Sequence, residues 1–281
     1  MAVIGKYNTL SIIRESEPGL YLDGGDLGEI LFPKRYIPDD LKQGDKLDVF
    51  VYLDSEDRLV ATTEKPFATV GEFAHLEVIG VNNNIGAFLN WGLAKDLLLP
   101  FREQEGQVRV GHKVVVAIVL DSKSNRLMAS MRLRRHFSKL PPTYRAGQPV
   151  NLMITDMTRL GYKAIVENAH EGLLYHDHLK LATPFPTGHK LKGFVRMVRP
   201  NSKIDLALDA SGYKRVSSLQ EQVVQVLQAN GGRLNFDDGS SPETIRNKFG
   251  VSKKAFKQAL GALYKSRRIR FLNPGVQLLD K

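Results

Sequence analysis

Apolar and polar residues alternate along most of this chain. Lys113–Leu120 and Asp48–Leu53 are rich in β-branched and aromatic side chains, the composition of half-buried strands. Polar clusters separate such runs: Asp23-Gly-Gly-Asp26, Asn82-Asn-Asn-Ile-Gly86, Asp121-Ser-Lys-Ser-Asn125 and Pro200-Asn-Ser202. Their residues favour turns or the left-handed backbone region. From Ser217 the period lengthens to that of a helix, with Leu219, Val223, Val226 and Leu227 on one face and Asn230-Gly-Gly232 as the stop.

The strand-rich part repeats itself three times. Gly19-Leu-Tyr21-Leu-Asp23, Gly86-Ala-Phe88-Leu-Asn90 and Gly161-Tyr-Lys163-Ala-Ile165 occupy one position. Gly44-Asp-Lys46, Gly111-His-Lys113 and Gly188-His-Lys190 follow after 25, 25 and 27 residues. A third landmark is an acidic or polar turn closed by a cation: Asp54 to Arg58, Asp121 to Arg126, and Arg199 to Lys203. A repeat of this length reads as tandem small domains and not as a solenoid. Five short strands in so small a unit are stable only when closed on themselves, which predicts OB-type barrels over 1–65, 66–138 and 139–212. The strand glycine is expected where the barrel coils tightly enough that a side chain would clash. Alternation from it turns Leu20, Leu22, Ala87 and Leu89 inward, and Tyr21, Asp23, Phe88 and Asn90 outward. Trp91 falls in the inward register, as core or as a seam between domains.

The remaining segment, 213–281, carries helix signals. Ser241-Pro242-Glu243 is an N-cap, a first-position proline and a first-turn acid, opening a helix that Gly250 closes. Ser252 caps a third helix with Phe256, Ala259, Leu260 and Leu263 as its buried stripe and Lys253, Lys254, Lys257 and Lys265 toward water. Arg268 to Leu278 reads as a hairpin turning at Asn273-Pro-Gly275. This order is that of a winged helix-turn-helix, so the whole is mainly β with an α+β C-terminus. Lys253, Lys254, Lys257, Arg268 and Arg270 then stand where phosphate contacts form. Gln258 is the one candidate to read a base edge.

Charge adds direction. The net +10 is distributed as −5 over 1–65, +3 over 66–138, +4 over 139–212 and +8 over 213–281. A polyanion is drawn to everything but the first module. The chain has no cysteine, which excludes disulfides, thiolate nucleophiles and Cys-ligated zinc and suits a reducing cytoplasm. No signal peptide opens it and no apolar run spans a membrane.

The stretch Gly86-Ala-Phe-Leu-Asn-Trp-Gly92, then Lys95-Asp-Leu-Leu-Leu-Pro100, then Asn125-Arg-Leu-Met-Ala-Ser130 resembles the S1 RNA-binding domain. Three such modules before a basic C-terminal domain are similar to a bacterial family typified by conserved virulence factor B. Gly28–Pro33, Val51–Thr63 and Val70–Ala74 carry further likeness. The resemblance spans nearly the whole chain. It implies a post-transcriptional role and an RNA-binding face built on an aromatic two places after the strand glycine. Tyr21 and Phe88 match that position and Lys163 departs from it. The S1 pattern often has a histidine fourteen places after the glycine; here Pro33, Pro100 and Tyr175 stand there. The basic position is kept by Arg58, Arg126 and Lys203. An outward ring is the usual stacking platform of an OB barrel, although Tyr21 and Phe88 can instead pack on a neighbouring barrel.

Other features give little chemistry. Arg132, Arg134 and Arg135 form a basic run before Pro141-Pro142, either a solvated linker or a backbone clamp. His170, His176, Asp177 and His178 lack a recognised ligand spacing, so no metal is expected. No nucleophile–base constellation or carboxylate pair marks an enzyme, and no cofactor is implied. The expectation is a single-stranded RNA-binding protein. Two rivals remain open: a DNA-binding regulator led by the winged helix, and a scaffold for a ribonuclease or ribosome component.

Overall fold

Period-two alternation produces three closed barrels. The computed structural model of the chain describes residues 1–37, 41–176, 179, 184–209, 211–237, 239–272 and 274–279, with backbone alone over 211–218. Strands β1 (Tyr7–Ser16), β2 (Gly19–Asp23), β3 (Glu29–Pro33), β4 (Lys46–Leu53) and β5 (Leu59–Thr62) close the first in the order β1-β2-β3-β5-β4. The second has β6 (Phe73–Asn82), β7 (Gly86–Asn90), β8 (Leu97–Pro100), β9 (Lys113–Leu120) and β10 (Leu127–Ser130) in the equivalent order. The third has β11 (Pro149–Met157), β12 (Gly161–Val166), β13 (His170–Tyr175), β14 (Lys190–Val198) and β15 (Ile204–Ala207). Closure in the first two runs through one parallel pair each, Leu31 beside Val60 and Leu98 beside Met128. Asp177 and His178, weighed above as metal ligands, lie outside the described residues.

The inward registers are apolar. Leu22, Ile30, Phe32, Val49, Val51 and Ala61 fill the first barrel, and Val78, Ala87, Leu89, Leu99, Val116 and Ile118 the second. In the third, Ile154, Ala164, Val166, Leu174, Val195 and Leu206 are buried. Each large side chain so buried contributes about 1.5–3 kcal/mol. A unit of this size still buries only about 60% of its unfolded surface and is marginal alone.

The first two barrels offset that weakness by sharing a seam. Phe50, Tyr52 and Val60, on the outer face of the first, are buried in one cluster with Trp91, Leu93 and Leu97 of the second. Trp91 meets Phe50 and Tyr52 edge-on, with centroids 5.8 and 6.5 Å away. Its indole Nε1 donates to the Lys95 carbonyl at 2.5 Å. Lys95 Nζ in turn donates to the Leu53 and Asp54 carbonyls at 2.8 and 2.6 Å. Trp91 is thus both core and seam. Burial, with smaller contributions from Tyr36 and Glu64, pushes the Tyr52 phenol up to about 12. The neutral phenol is the form the fold prefers. Its contribution is complete below pH 10, the ordinary tyrosine value, and declines as pH rises through about 12. Urea unfolding of wild type and Tyr52→Phe should therefore diverge across that interval, wild type losing more stability. Parallel curves there would overturn the assignment.

Each barrel bends at the same place. The first strand slips register by one residue between Ile12 and Arg14, Val78 and Gly80, and Ile154 and Asp156. The facing glycines, Gly19, Gly86 and Gly161, have φ of 154°, 142° and 157°. A Cβ on them would lie 2.1, 2.2 and 1.9 Å from the carbonyl oxygens of Phe32, Leu99 and Leu174. The clash expected at this repeated glycine is therefore with the backbone of the next strand.

The C-terminal segment forms α1 (Ser211–Ala229), β16 (Arg233–Leu234), α2 (Pro242–Phe249), α3 (Lys253–Lys265), β17 (Ile269–Phe271) and β18 (Val276–Leu278), with sheet order β16-β18-β17. Ser241 and Ser252 cap their helices by accepting from the Thr244 and Ala255 amides, and Gly250 ends α2 in the left-handed conformation. Phe256, Ala259, Leu260 and Leu263 pack with Val223, Leu227 and Ile245 in one core. Helix α1 begins six residues before the expected Ser217. Its first turns are too polar for a helical hydrophobic period to show. Among the described residues no helix is long and apolar enough to cross a membrane.

Candidate nucleic-acid interface

Because the bulge and the strand glycine recur, one residue of the first strand always faces the S1 platform position of the second. The pairs are Arg14 opposite Tyr21, Gly80 opposite Phe88, and Asp156 opposite Lys163. These three residues decide what each platform can do.

In the first barrel the Arg14 guanidinium lies 3.8 Å from the centre of the Tyr21 ring. Arg14 is held there by Glu29, which accepts from its Nε at 3.3 Å and from its Nη2 at 2.6 Å. The same hydrogen bonds keep the Glu29 carboxyl below its usual range. One face of Tyr21 is already occupied by a cation. In the third barrel Lys163 Nζ lies 4.0 Å from Asp156, so its charge is partly answered. Lys163 also lines a cleft of about 480 Å³ with Lys113, Arg134, Glu105, Asp156 and Glu171. Acids and bases there are balanced, a poor setting for phosphate.

The second barrel differs. Gly80 has no side chain to lay over Phe88, and a Cβ there would sit 3.6 Å from Phe88 Cδ2. Phe88 is half-buried and outward, flanked by half-buried Leu98, which pairs with half-buried Met128. Pro100, opposite Gly86, and Phe101, 47% exposed, continue this apolar row. Arg102 follows, its side chain 68% exposed and near Asp121 at 3.9 Å. This surface offers a half-buried ring with no side chain on the residue opposite it and a second aromatic at its margin, with an arginine beside them.

Two of the three cations of the repeat turns are engaged. Arg58 gives Nε and Nη2 to Asp54 at 2.9 and 2.8 Å and lies 3.0 Å from Glu56. Arg126 crosses to Asp57 of the first barrel, Nε donating at 2.7 Å, and depresses that carboxyl. Such exposed pairs are screened by solvent and contribute little, so they can be traded for phosphate. Lys203 is exposed in the β14–β15 turn. Tyr175 is half-buried opposite Gly161, as Pro33 and Pro100 stand opposite Gly19 and Gly86. His170 and His176 turn ring nitrogens to the Leu140 and Thr158 carbonyls, each at 2.9 Å.

On the winged helix, Lys254, Lys257 and Arg268 are exposed. Lys253 is only half-exposed and donates to the Gly239 carbonyl at 3.2 Å. Arg270 grips Gln277 Oε1 at 3.1 and 2.7 Å. The Asn273 of the expected hairpin turn lies outside the described residues. Pattern reading missed Gly80, Leu98, Met128 and Phe101. The signal available was spacing: Arg14, Gly80 and Asp156 stand five, six and five residues before the strand glycine.

Residues 4–64 match the S1 domain, and residues 221–278 match the CvfB-like winged helix domain. These are nucleic-acid-binding domain types and not enzyme families. Over 94% of the chain and 90% of the relative, the sequence is 26% identical to the uncharacterized protein YitL of Bacillus subtilis. It is 24% identical to conserved virulence factor B of Staphylococcus saprophyticus over 99% and 95% of the two chains. A solved multidomain protein with nucleic acid binding domains from Streptococcus pneumoniae TIGR4 aligns over 98% of both chains, at 22% identity and TM-score 0.41. With an S1 domain match at one end and a CvfB-like winged helix domain match at the other, the chain is similar along nearly its whole length to conserved virulence factor B.

Proposed function

We propose that this protein binds single-stranded RNA in the cytoplasm and acts on gene expression after transcription. Phe88 is the main stacking platform, and lysine and arginine side chains of the second and third barrels and the winged helix neutralise phosphate. The observation that carries this reading is the bare Gly80 opposite Phe88, where the first barrel has Arg14 and the third Asp156. A flat ring with no cation laid over it from the paired strand accepts any base, which suits binding with little sequence preference. The acidic first barrel, with Tyr21 covered, holds the second in place through their seam and does not grip RNA.

The test is a salt-resolved titration of the full chain with single-stranded RNA, single-stranded DNA and duplexes. Phe88→Ala should weaken single-stranded RNA binding by about 1–3 kcal/mol, the range for one lost base stack. Gly80→Arg should do nearly the same by covering the ring as Arg14 covers Tyr21. Affinity should fall steeply with salt. Unchanged affinity in both variants, or displacement of the RNA by duplex DNA at equal salt, would sink the proposal.

A further inference from the structure

The exposed side of α3 is not the lysine-lined rod that its N-terminal sequence suggests. Lys253 is turned to the Gly239 carbonyl. Further along, Tyr264 is 55% exposed and Phe271 of β17 is 40% exposed. Their rings touch, with centroids 5.3 Å apart at 50°. Two adjoining aromatics this open on a small domain need an explanation, because the core beneath them is complete without them. Phe256, Ala259, Leu260 and Leu263 fill it at 0% exposure.

Around the rings stand Lys265, Arg267, Arg268 and Arg270, all exposed. Lys265, Arg267 and Arg268 form no ion pair among the described residues. A protein partner recognised through apolar contact alone would not require this concentration of positive charge. A polyanion with flat rings would.

One turn before Tyr264, Gly261 lies on the solvent side of α3 between Lys257 and Lys265. A Cβ there would meet nothing within 4 Å. Its backbone is not left-handed, so neither crowding nor conformation calls for glycine. Glycine inside a helix is a poorer choice than alanine on stability grounds. What it provides is a helix surface without a side chain, next to a ring pair, on which a base or sugar can lie close.

We infer that Tyr264 and Phe271 form a second stacking site, specific for unpaired bases of a single strand, with Gly261 as its floor and Lys265, Arg267 and Arg268 on the flanking phosphates. The winged helix then takes single-stranded nucleic acid on its aromatic margin, and not a duplex groove along α3. This site is independent of the Phe88 platform.

The experiment uses the full chain and a uridine-rich 12-mer RNA carrying 4-thiouridine, beside a blunt duplex of the same sequence. Irradiation should cross-link the single strand to Tyr264 or Phe271. The double variant Tyr264→Ala/Phe271→Ala should lose about tenfold or more in affinity for the 12-mer and little for the duplex. Tyr264→Phe, which keeps the ring, should bind as wild type. Gly261→Leu should weaken 12-mer binding while raising the melting temperature. Wild-type affinity in the double variant overturns the inference, as does an equal loss for duplex and single strand. Phe88→Ala in the same titration separates the two sites: loss there with none in the double variant leaves the barrel reading intact and removes this one.

Discussion

Trp91→Ala should lower the stability of the joined first and second barrels by about 3–5 kcal/mol, the usual cost of truncating a large buried aromatic. The indole, contributed by the second barrel, is 2% exposed and meets the Phe50 and Tyr52 rings of the first. Its loss opens a cavity at the seam. It also frees the Lys95 carbonyl from its donor, on the residue whose ammonium caps the Leu53 and Asp54 carbonyls. Urea unfolding followed by circular dichroism measures the effect. Two separated transitions in the variant, in place of one, would show that the barrels have been uncoupled. A loss below about 1 kcal/mol, the scale of a surface substitution, would mean that Trp91 is peripheral.

Gly86→Ala should be at least as damaging, whereas Gly111→Ala should be mild. Both glycines have positive φ, 142° and 84°. At Gly111 the added methyl meets nothing within 4 Å, so only the conformational cost of about 1–2 kcal/mol applies. At Gly86 the methyl would lie 2.2 Å from the Leu99 carbonyl oxygen. Relief requires β7 and β8 to part beside Phe88. We expect a loss of more than about 3 kcal/mol, strain and clash together, and much reduced soluble yield. Equal melting temperatures for the two variants would refute the clash argument, since Gly86 carries the backbone contact on top of its own conformational cost.

The architecture was legible because it is encoded locally and repeated. The strand glycine, the alternation after it and the Gly-x-Lys strand each recur, so Leu22, Ala87 and Leu89 could be turned inward on pattern alone. The helix caps at Ser241 and Ser252 were equally plain, since capping depends on adjacent residues. The platform was half legible. Alternation turned Tyr21 and Phe88 outward, yet what lies over each ring comes from another strand. A one-residue bulge breaks the register count between them, so alternation alone did not match Arg14 and Gly80 to their rings, and only their spacing from the strand glycine pointed to them. The engagement of Arg58, Arg126, Lys253 and Arg270 was hidden for a related reason. Long cations choose partners across turns or domains, and composition records the charge without the partner.

The slip that hides the cover residue also frees it. Position 14 and its counterparts 80 and 156 sit on the outer face of a bent strand, so exchanging the side chain there leaves the interior untouched. A duplicated barrel can thus gain or lose ligand competence through one codon while its folding is inherited unchanged. The three copies in this chain, one shut by arginine, one open and one answered by aspartate, are three settings of a single dial.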